Sequence, residues 1–273
     1  MQLIEWLKII LIGLIEGITE WLPVSSTGHM ILFNELVKLP MTPDFEEMFL
    51  VVIQLGAILA VMLVFYQKLN PFNSTKSAIE KKQTWQMWGK IIIGCLPAAV
   101  LGLLLDDWMD RYLFNYVVVA IMLIVYGIFF LIIEQKHQIT NERIQALEDL
   151  DYKTAFLIGC FQSLALIPGT SRSGATILGG LLLGTSRFVA TEFSFFLSVP
   201  VMFGASLLKV RKFGFHFTGT ELGMLGVGSL VAFIVSLIAV NFLLTYIKRN
   251  DFKAFAWYRI VLGIIVLVSF QFL

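Results

Sequence analysis

Apolar residues run through this chain in long blocks, and polar residues gather in the gaps between them. A helix that crosses a membrane needs about 20 mostly apolar residues. Six blocks meet that length with their flanks: 46–66, 88–105, 112–133, 188–209, 222–247 and 254–273. Trp85, Trp88, Lys90, Phe188 and Lys209 extend the two shorter ones by interfacial anchoring and snorkelling. Four other apolar pieces do not cross. Residues 3–23 are interrupted by Glu16 and Glu20 and stop at Pro23, and 154–167 stop at Pro168 and Gly169. Residues 28–38 make only about 16 Å of helix, and 174–185 are equally short. The pattern therefore predicts helix–break–helix hairpins over 3–38 and 154–185. Irregular backbone at membrane depth is tolerated only inside protein or against water, and such places usually carry function.

The two hairpins correspond at an offset of 146. Gly13 falls on Gly159, Glu16 on Gln162, Ser25 on Ser171, Thr27 on Ser173, Gly28 on Gly174 and, beyond the hairpins, Glu46 on Glu192. The order is hairpin, three spans, linker, hairpin, three spans. Three spans carry the chain to the other face, so the second copy starts there and the repeat has inverted topology. The predicted fold is an all-α integral membrane domain over 1–273. It has six transmembrane helices plus two re-entrant helix-loop-helix hairpins, with pseudo-repeats at about 1–134 and about 152–273.

Composition agrees. The chain is 58% hydrophobic and 14% charged, where a soluble domain carries about 25% charged residues. The net charge of +1 directs no field at nucleic acid, and no nucleic-acid partner is expected. Loops 67–90, 134–153 and 248–253, with Arg187, place twelve Lys and Arg on one face, against six on the other beside the acidic run Asp106, Asp107 and Asp110. The rule that positive loops stay inside puts the first face in the cytoplasm and both termini outside. Glu16 follows the apolar run Ile9 to Ile15 at once, so no cleaved signal peptide is expected. Cys95 and Cys160 read as small core residues, the run Glu142 to Asp151 as a solvated surface helix, and Gly179, Gly180 and Gly184 as sites of close helix packing.

Ionisable groups are costly at membrane depth, yet Glu16, Glu20, His29 and Arg172 all fall inside the hairpins. Glu16 and Glu20 share one helix face, where like charges repel unless a cation lies between them. An arginine or a divalent metal answers that need, and two carboxylates with water suit Mg²⁺ or Ca²⁺. Ser25, Ser26, Thr27 and Gly28 open a short helix after Pro23. Gly169, Thr170, Ser171, Arg172, Ser173 and Gly174 do the same after Pro168, with Thr176 one turn on. Such starts are good N-caps, and free N–H groups at a helix start also bind anions. One guanidinium adds bidentate phosphate recognition. The set fits a phosphate or diphosphate, with Ser26 as nucleophile activated by His29 or a glutamate, or His29 or a water attacking instead. Arg259 either pairs with a carboxylate or snorkels outward, and Gln54 and Gln162 bridge helices. A transporter or flippase of lipid phosphates shares this architecture, but has no need of a nucleophile and base.

With these residues in place, the chain resembles the bacitracin-resistance type of undecaprenyl-diphosphate phosphatase. That family's E-x-x-x-E and P-V-S-S-T-G-H stand here at Glu16, Glu20 and from Pro23 to His29, and its P-G-x-S-R-S-G-A-T stands from Pro168 to Thr176. The other lipid phosphatase class ends in S-R-x5-H, whereas here Ser186 and Arg187 are followed by Phe193 in the histidine's place. The resemblance implies a multi-pass hydrolase of the bacterial plasma membrane. It removes the terminal phosphate of undecaprenyl diphosphate, depends on a divalent cation, raises tolerance to bacitracin when overexpressed, and has a site opening to the extracytoplasmic face. Glu16, Glu20, Ser26, His29, Arg172, Ser173 and Thr176 would line that site, with Glu16 and Glu20 as metal ligands. Membrane lipids would surround it, and the oligomeric state, a homodimer included, stays open.

Overall fold

The computed structural model describes residues 3–39, 41–137 and 142–269. The described residues form helices and two short 3-10 turns. In order these are α1 (Leu3–Thr19), α2 (Ser26–Val37), α3 (Pro43–Val52), α4 (Gln54–Val64), α5 (Tyr66–Leu69), α6 (Ala78–Tyr112), α7 (Tyr116–His137), α8 (Tyr152–Ser163), α9 (Arg172–Leu182), α10 (Arg187–Phe213), α11 (Gly219–Tyr246) and α12 (Lys253–Ser269). Five helical stretches are long and apolar enough to cross a membrane: Pro43–Val64, Ala78–Leu105, Tyr116–Lys136, Arg187–Phe213 and Gly219–Tyr246. The sixth expected crossing, 254–273, is the helix Lys253–Ser269, of 17 residues. Its last four positions lie outside the described residues, as do the side chains of Asp106, Asp107 and Asp110. Leu103, Leu104, Ile234, Ile238, Phe242 and Trp257 are all more than half exposed or nearly so, an apolar outer belt suited to lipid.

Several local expectations are corrected. The loop expected over 67–90 is helical from Ala78, because Ser77 and Glu80 form a reciprocal capping box that starts α6 early. The run 142–151 is not a surface helix. The N–H groups of Arg143 and Ile144 donate to Gly184 O, and Ser186 N–H donates to Ile144 O. These bonds hold the linker extended until a 3-10 turn at Leu147–Asp149, where Leu147 and Leu150 are buried. Asp151 then caps α8 by accepting from Thr154 N–H at 2.6 Å, which holds its carboxyl below the usual range. Gly184 is a turn residue with φ +87, not a packing site, while Gly179 and Gly180 do lie under Phe161 and Ala190. Cys95 is buried as expected, but Cys160 is exposed.

Each hairpin packs its first helix against a span from the other half of the chain. A methyl group added at Gly13 of α1 would lie 2.8 Å from Gly228 O of α11. One added at Gly159 of α8 would lie 2.2 Å from Gly94 O of α6. Both approaches need the missing Cβ. Between the hairpins sits an aromatic core in which Trp21 meets Phe195 edge-on at 5.1 Å and Phe65 meets Phe196 likewise at 5.1 Å. Polar ties close the periphery. Glu134, fully buried, accepts from Arg187 and from Phe252 N–H, and Lys68 pairs with Glu192.

Candidate active site

The hairpin breaks are built alike. After Thr19 the chain turns through Glu20 to Val24, and Ser25 takes φ 76 before α2 begins. In the second hairpin Gly169 has φ 90 and Ser171 has φ 74 before α9 begins. Left-handed backbone is uncommon outside glycine and costs energy. Each serine turns its hydroxyl back as an N-cap: Ser25 Oγ accepts from Gly28 N–H at 3.3 Å, and Ser171 Oγ from Gly174 N–H at 3.1 Å.

The two breaks meet. Arg172, first residue of α9, donates to Glu20 Oε1 from Nη2 at 3.0 Å and from Nε at 3.3 Å, and to Ser194 O at 2.9 Å. Its guanidinium also lies 5.9 Å from the centre of the Trp21 ring. Ser26 donates to the other oxygen, Glu20 Oε2, at 2.5 Å. Glu20 thus sits between a hydroxyl from its own hairpin and a guanidinium from the other. Ser173 Oγ, fully buried, lies 3.1 Å from Glu20 O and 3.2 Å from Leu22 O, a second tie across the breaks. Glu20, Ser25, Ser26, Thr27, Gly169, Ser171 and Arg172 all line one cavity of about 150 Å³, which Ala98, Leu166, Val201 and Met202 continue on an apolar side. A charged head with an apolar tail fits that lining.

The other expected site residues lie around this cavity without lining it. Thr176 Oγ1 donates to Arg172 O at 2.9 Å and lies 2.7 Å from Ser194 Oγ, and so seats the arginine's own turn. Thr170 is fully buried with its hydroxyl unpartnered. His29 does not face Ser26. Its Nδ1–H donates to Ser25 O at 2.6 Å and its Nε2 accepts from Tyr258 O–H at 2.6 Å. The neighbour that does meet Ser26 Oγ is Glu20.

Two residues depart from what the sequence suggested. Arg259 neither pairs with a carboxylate nor snorkels. It is fully buried and donates to Pro23 O at 3.0 Å, Gly169 O at 2.8 Å and Thr170 O at 2.8 Å, so one guanidinium holds both breaks. Its signal was a charge inside the apolar span 254–273, which is a functional hint by itself. Gln162 bridges no helices: it lines the cavity, 2% exposed, with both amide atoms unpartnered.

For the cation, the arginine alternative holds at Glu20. Glu16, one turn earlier and fully buried, keeps both carboxylate oxygens without a hydrogen-bond partner. A buried carboxylate is kept either by neutralising or by binding a cation; Glu16 does not line the cavity but stands one turn from Glu20, which does, so the two together would suit a divalent ion. No group of three or more His, Cys, Asp or Glu able to hold a metal occurs among the described residues, so water and substrate oxygens would complete the shell, as is usual for Mg²⁺.

Known proteins share this arrangement's sequence along nearly the whole chain. It is similar to undecaprenyl-diphosphatases of Desulfitobacterium hafniense (59% identical, covering 99% of this chain and 98% of that one) and Enterococcus faecalis (58%, covering 95% of each). It is also similar to that of Limosilactobacillus fermentum (54%, covering 99% of each). The model of the bacitracin resistance protein BacA family matches residues 9–265, a range that holds both breaks and the arginine that ties them, and the chain belongs to that family.

Proposed function

We propose that this chain is an undecaprenyl-diphosphate phosphatase. It hydrolyses undecaprenyl diphosphate to undecaprenyl phosphate and inorganic phosphate in the bacterial cell membrane, returning the lipid carrier to peptidoglycan and envelope polymer synthesis. Its overexpression raises tolerance to bacitracin. The observation that carries the reading is the contact of Ser26 Oγ with Glu20 Oε2 at 2.5 Å beside Arg172, on the wall of one cavity. A serine, a base within reach and an anion-binding guanidinium are what phosphoryl transfer requires and what a flippase does not.

Glu20 accepts the proton of Ser26 as Oγ attacks the terminal phosphorus. The Oγ–P bond forms while the bond from phosphorus to the bridging oxygen breaks, and the prenyl monophosphate leaves. Water then cleaves the phosphoserine, releasing phosphate and returning the proton to Ser26. Arg172, the N–H groups at the starts of α2 and α9, and the hydroxyls of Ser25, Thr27 and Ser171 hold the phosphate oxygens. Glu16 and Glu20 would hold a divalent cation, Mg²⁺ or Ca²⁺, whose charge offsets that of the diphosphate. His29, held between Ser25 O and Tyr258, fixes the start of α2.

The same proposal includes two re-entrant hairpins and an inverted repeat. Their support is the matching break geometry at Ser25 and Ser171 and the crossed packing of α1 on α11 and α8 on α6. The lysine- and arginine-rich loops are cytoplasmic, and the site opens to the extracytoplasmic face. The test is phosphate release from a prenyl diphosphate by detergent-solubilised protein. Release that falls at least about a hundredfold in Ser26→Ala, in the range lost when a nucleophile is removed, supports the reading. Full release in that variant removes Ser26 as nucleophile. No release by the unaltered protein, with lipid flipping in liposomes, would favour the transporter.

A further inference from the structure

Gln54 and Gln162 are polar side chains of the cavity that the mechanism above leaves idle, and Gln162 is the one whose amide atoms are buried without a partner. It sits one residue before the end of α8, where the helix tightens into the 3-10 turn Leu164–Leu166 that leads to Pro168. It is 2% exposed, yet neither Nε2 nor Oε1 has a hydrogen-bond partner. One polar neighbour is the Cys95 thiol, a weak partner that is itself turned to Leu197 O at 3.6 Å. A buried amide without partners destabilises the protein that carries it, and native proteins rarely keep one without a use. Gln162 lines the same cavity as Arg172 and Ser26. An amide buried at a cavity wall, with two donors and an acceptor that no protein group meets, suits a polar ligand.

We propose that Gln162 is a substrate-binding residue: its Nε2–H group donates to a non-bridging oxygen of the bound diphosphate, and its Oε1 holds a water beside it. This rests on the reading of the cavity as the phosphatase site. The residue type carries the argument further. Glu16, its counterpart at the offset of 146, is a carboxylate. The site already holds Glu16 and Glu20 against Arg172, and Arg172 is shared with Glu20. A second copy of the acid would put another negative charge beside a polyanion. The amide keeps the size, supplies a donor and adds no charge. The apolar wall of Ala98, Val201 and Met202 beside it makes that donor worth more than in water.

The test compares Gln162→Met, Gln162→Glu and Arg172→Ala in phosphate release from a prenyl diphosphate, with thermal unfolding of each. Methionine conserves volume and removes an unsatisfied amide, so Gln162→Met should melt at the same or a higher temperature than the parent. Its KM should rise about ten- to a hundredfold, the loss expected for one hydrogen bond to a charged group, with kcat within about threefold. Gln162→Glu should raise KM further by like-charge repulsion. A role in packing alone predicts no such rise, with KM within about twofold of the parent in Gln162→Met whatever its melting temperature. That result overturns the proposal. Should Gln162→Met fail to fold, an unchanged KM in the isosteric Gln162→Glu overturns it equally, and a raised one supports it. Arg172→Ala separates the levels. If it is inactive while Gln162→Met is normal, only this proposal fails; if both are fully active, the cavity is not the phosphatase site.

Discussion

Arg259→Met separates two roles that one guanidinium plays. The fork reaches Pro23 O in the first break and both Gly169 O and Thr170 O in the second, at 2.8 to 3.0 Å. Its plane also lies 5.5 Å from the centre of the Tyr126 ring, and no carboxylate pairs with it among the described contacts. Removing it leaves three buried carbonyls short of a donor, at about 1–3 kcal/mol each. It also removes a fully buried cation whose desolvation costs several kcal/mol. The terms oppose each other, so thermal stability should move by no more than about 3 kcal/mol. Activity has no such compensation. The breaks carry Glu20, Ser26 and Arg172, and a misplacement of about 1 Å between reacting groups costs about a hundredfold. Arg259→Met should therefore remain folded and lose about a hundredfold in phosphate release. Arg259→Lys should be as slow and less stable than the methionine variant, because it keeps the buried charge without the planar fork. Thermal unfolding in detergent and initial rates on a prenyl diphosphate measure both. A methionine variant within about twofold of the parent rate, or a lysine variant that is fully active, refutes the idea that this fork sets the geometry of the breaks.

Other outcomes follow from the same contacts. Gly169→Ala should abolish activity and lower the melting temperature, because φ 90 disfavours a side chain and the added carbon would lie 2.5 Å from Val119 O; a normal melting curve would contradict this. Chelation should stop phosphate release, restored by Mg²⁺ or Ca²⁺, and Glu16→Gln should lose activity and need far more cation to recover any; activity in excess chelator would remove the metal from the site. Asp151→Ala should cost about 1 kcal/mol by uncapping α8, while Asp151→Asn keeps the cap. The Asp151 carboxyl is held low by that bond, so its contribution is present above the ordinary aspartate range and is lost as pH falls through the depressed value. A stability difference between parent and alanine variant that grows with acidification would contradict it.

The breaks were legible because proline, glycine and hydroxyl residues have few other uses inside apolar runs. Pro23 and Pro168 end helices by rule, and Ser25 and Ser171 at a fixed offset marked two copies of one device. Two acids at helical spacing called for a cation, which left an arginine or a metal open; that Arg172, 152 residues away, pairs with Glu20 was not legible, because Arg172 read as a phosphate ligand. The partners of Arg259 and His29 were not legible. Arg259 binds backbone carbonyls, which every residue carries and no sequence distinguishes. His29 finds Tyr258 at a separation of 229 residues, while its nearest neighbours in sequence include Ser26. The linker misled for a related reason. Its charges suit a solvated helix, but Ser186 N–H and Gly184 O capture its backbone first.

The crossed packing of the hairpins also sets a timetable. Helix α1 is made first, yet Gly13 and Gly17 close against α11, and Ser236 Oγ donates to Gly17 O at 3.3 Å. About 200 residues separate the two helices, and at roughly 5–20 residues per second a ribosome takes on the order of 10–40 seconds to supply them. Through that interval Glu16 and Glu20 have neither Arg172 nor a protein wall around them. A nascent first half must hold its acids near water, at the membrane surface or against an insertion factor, until the second half arrives. The first helix–break–helix segment would then be among the last parts of the molecule to take its final place, and the cavity would be complete only when the chain is nearly finished.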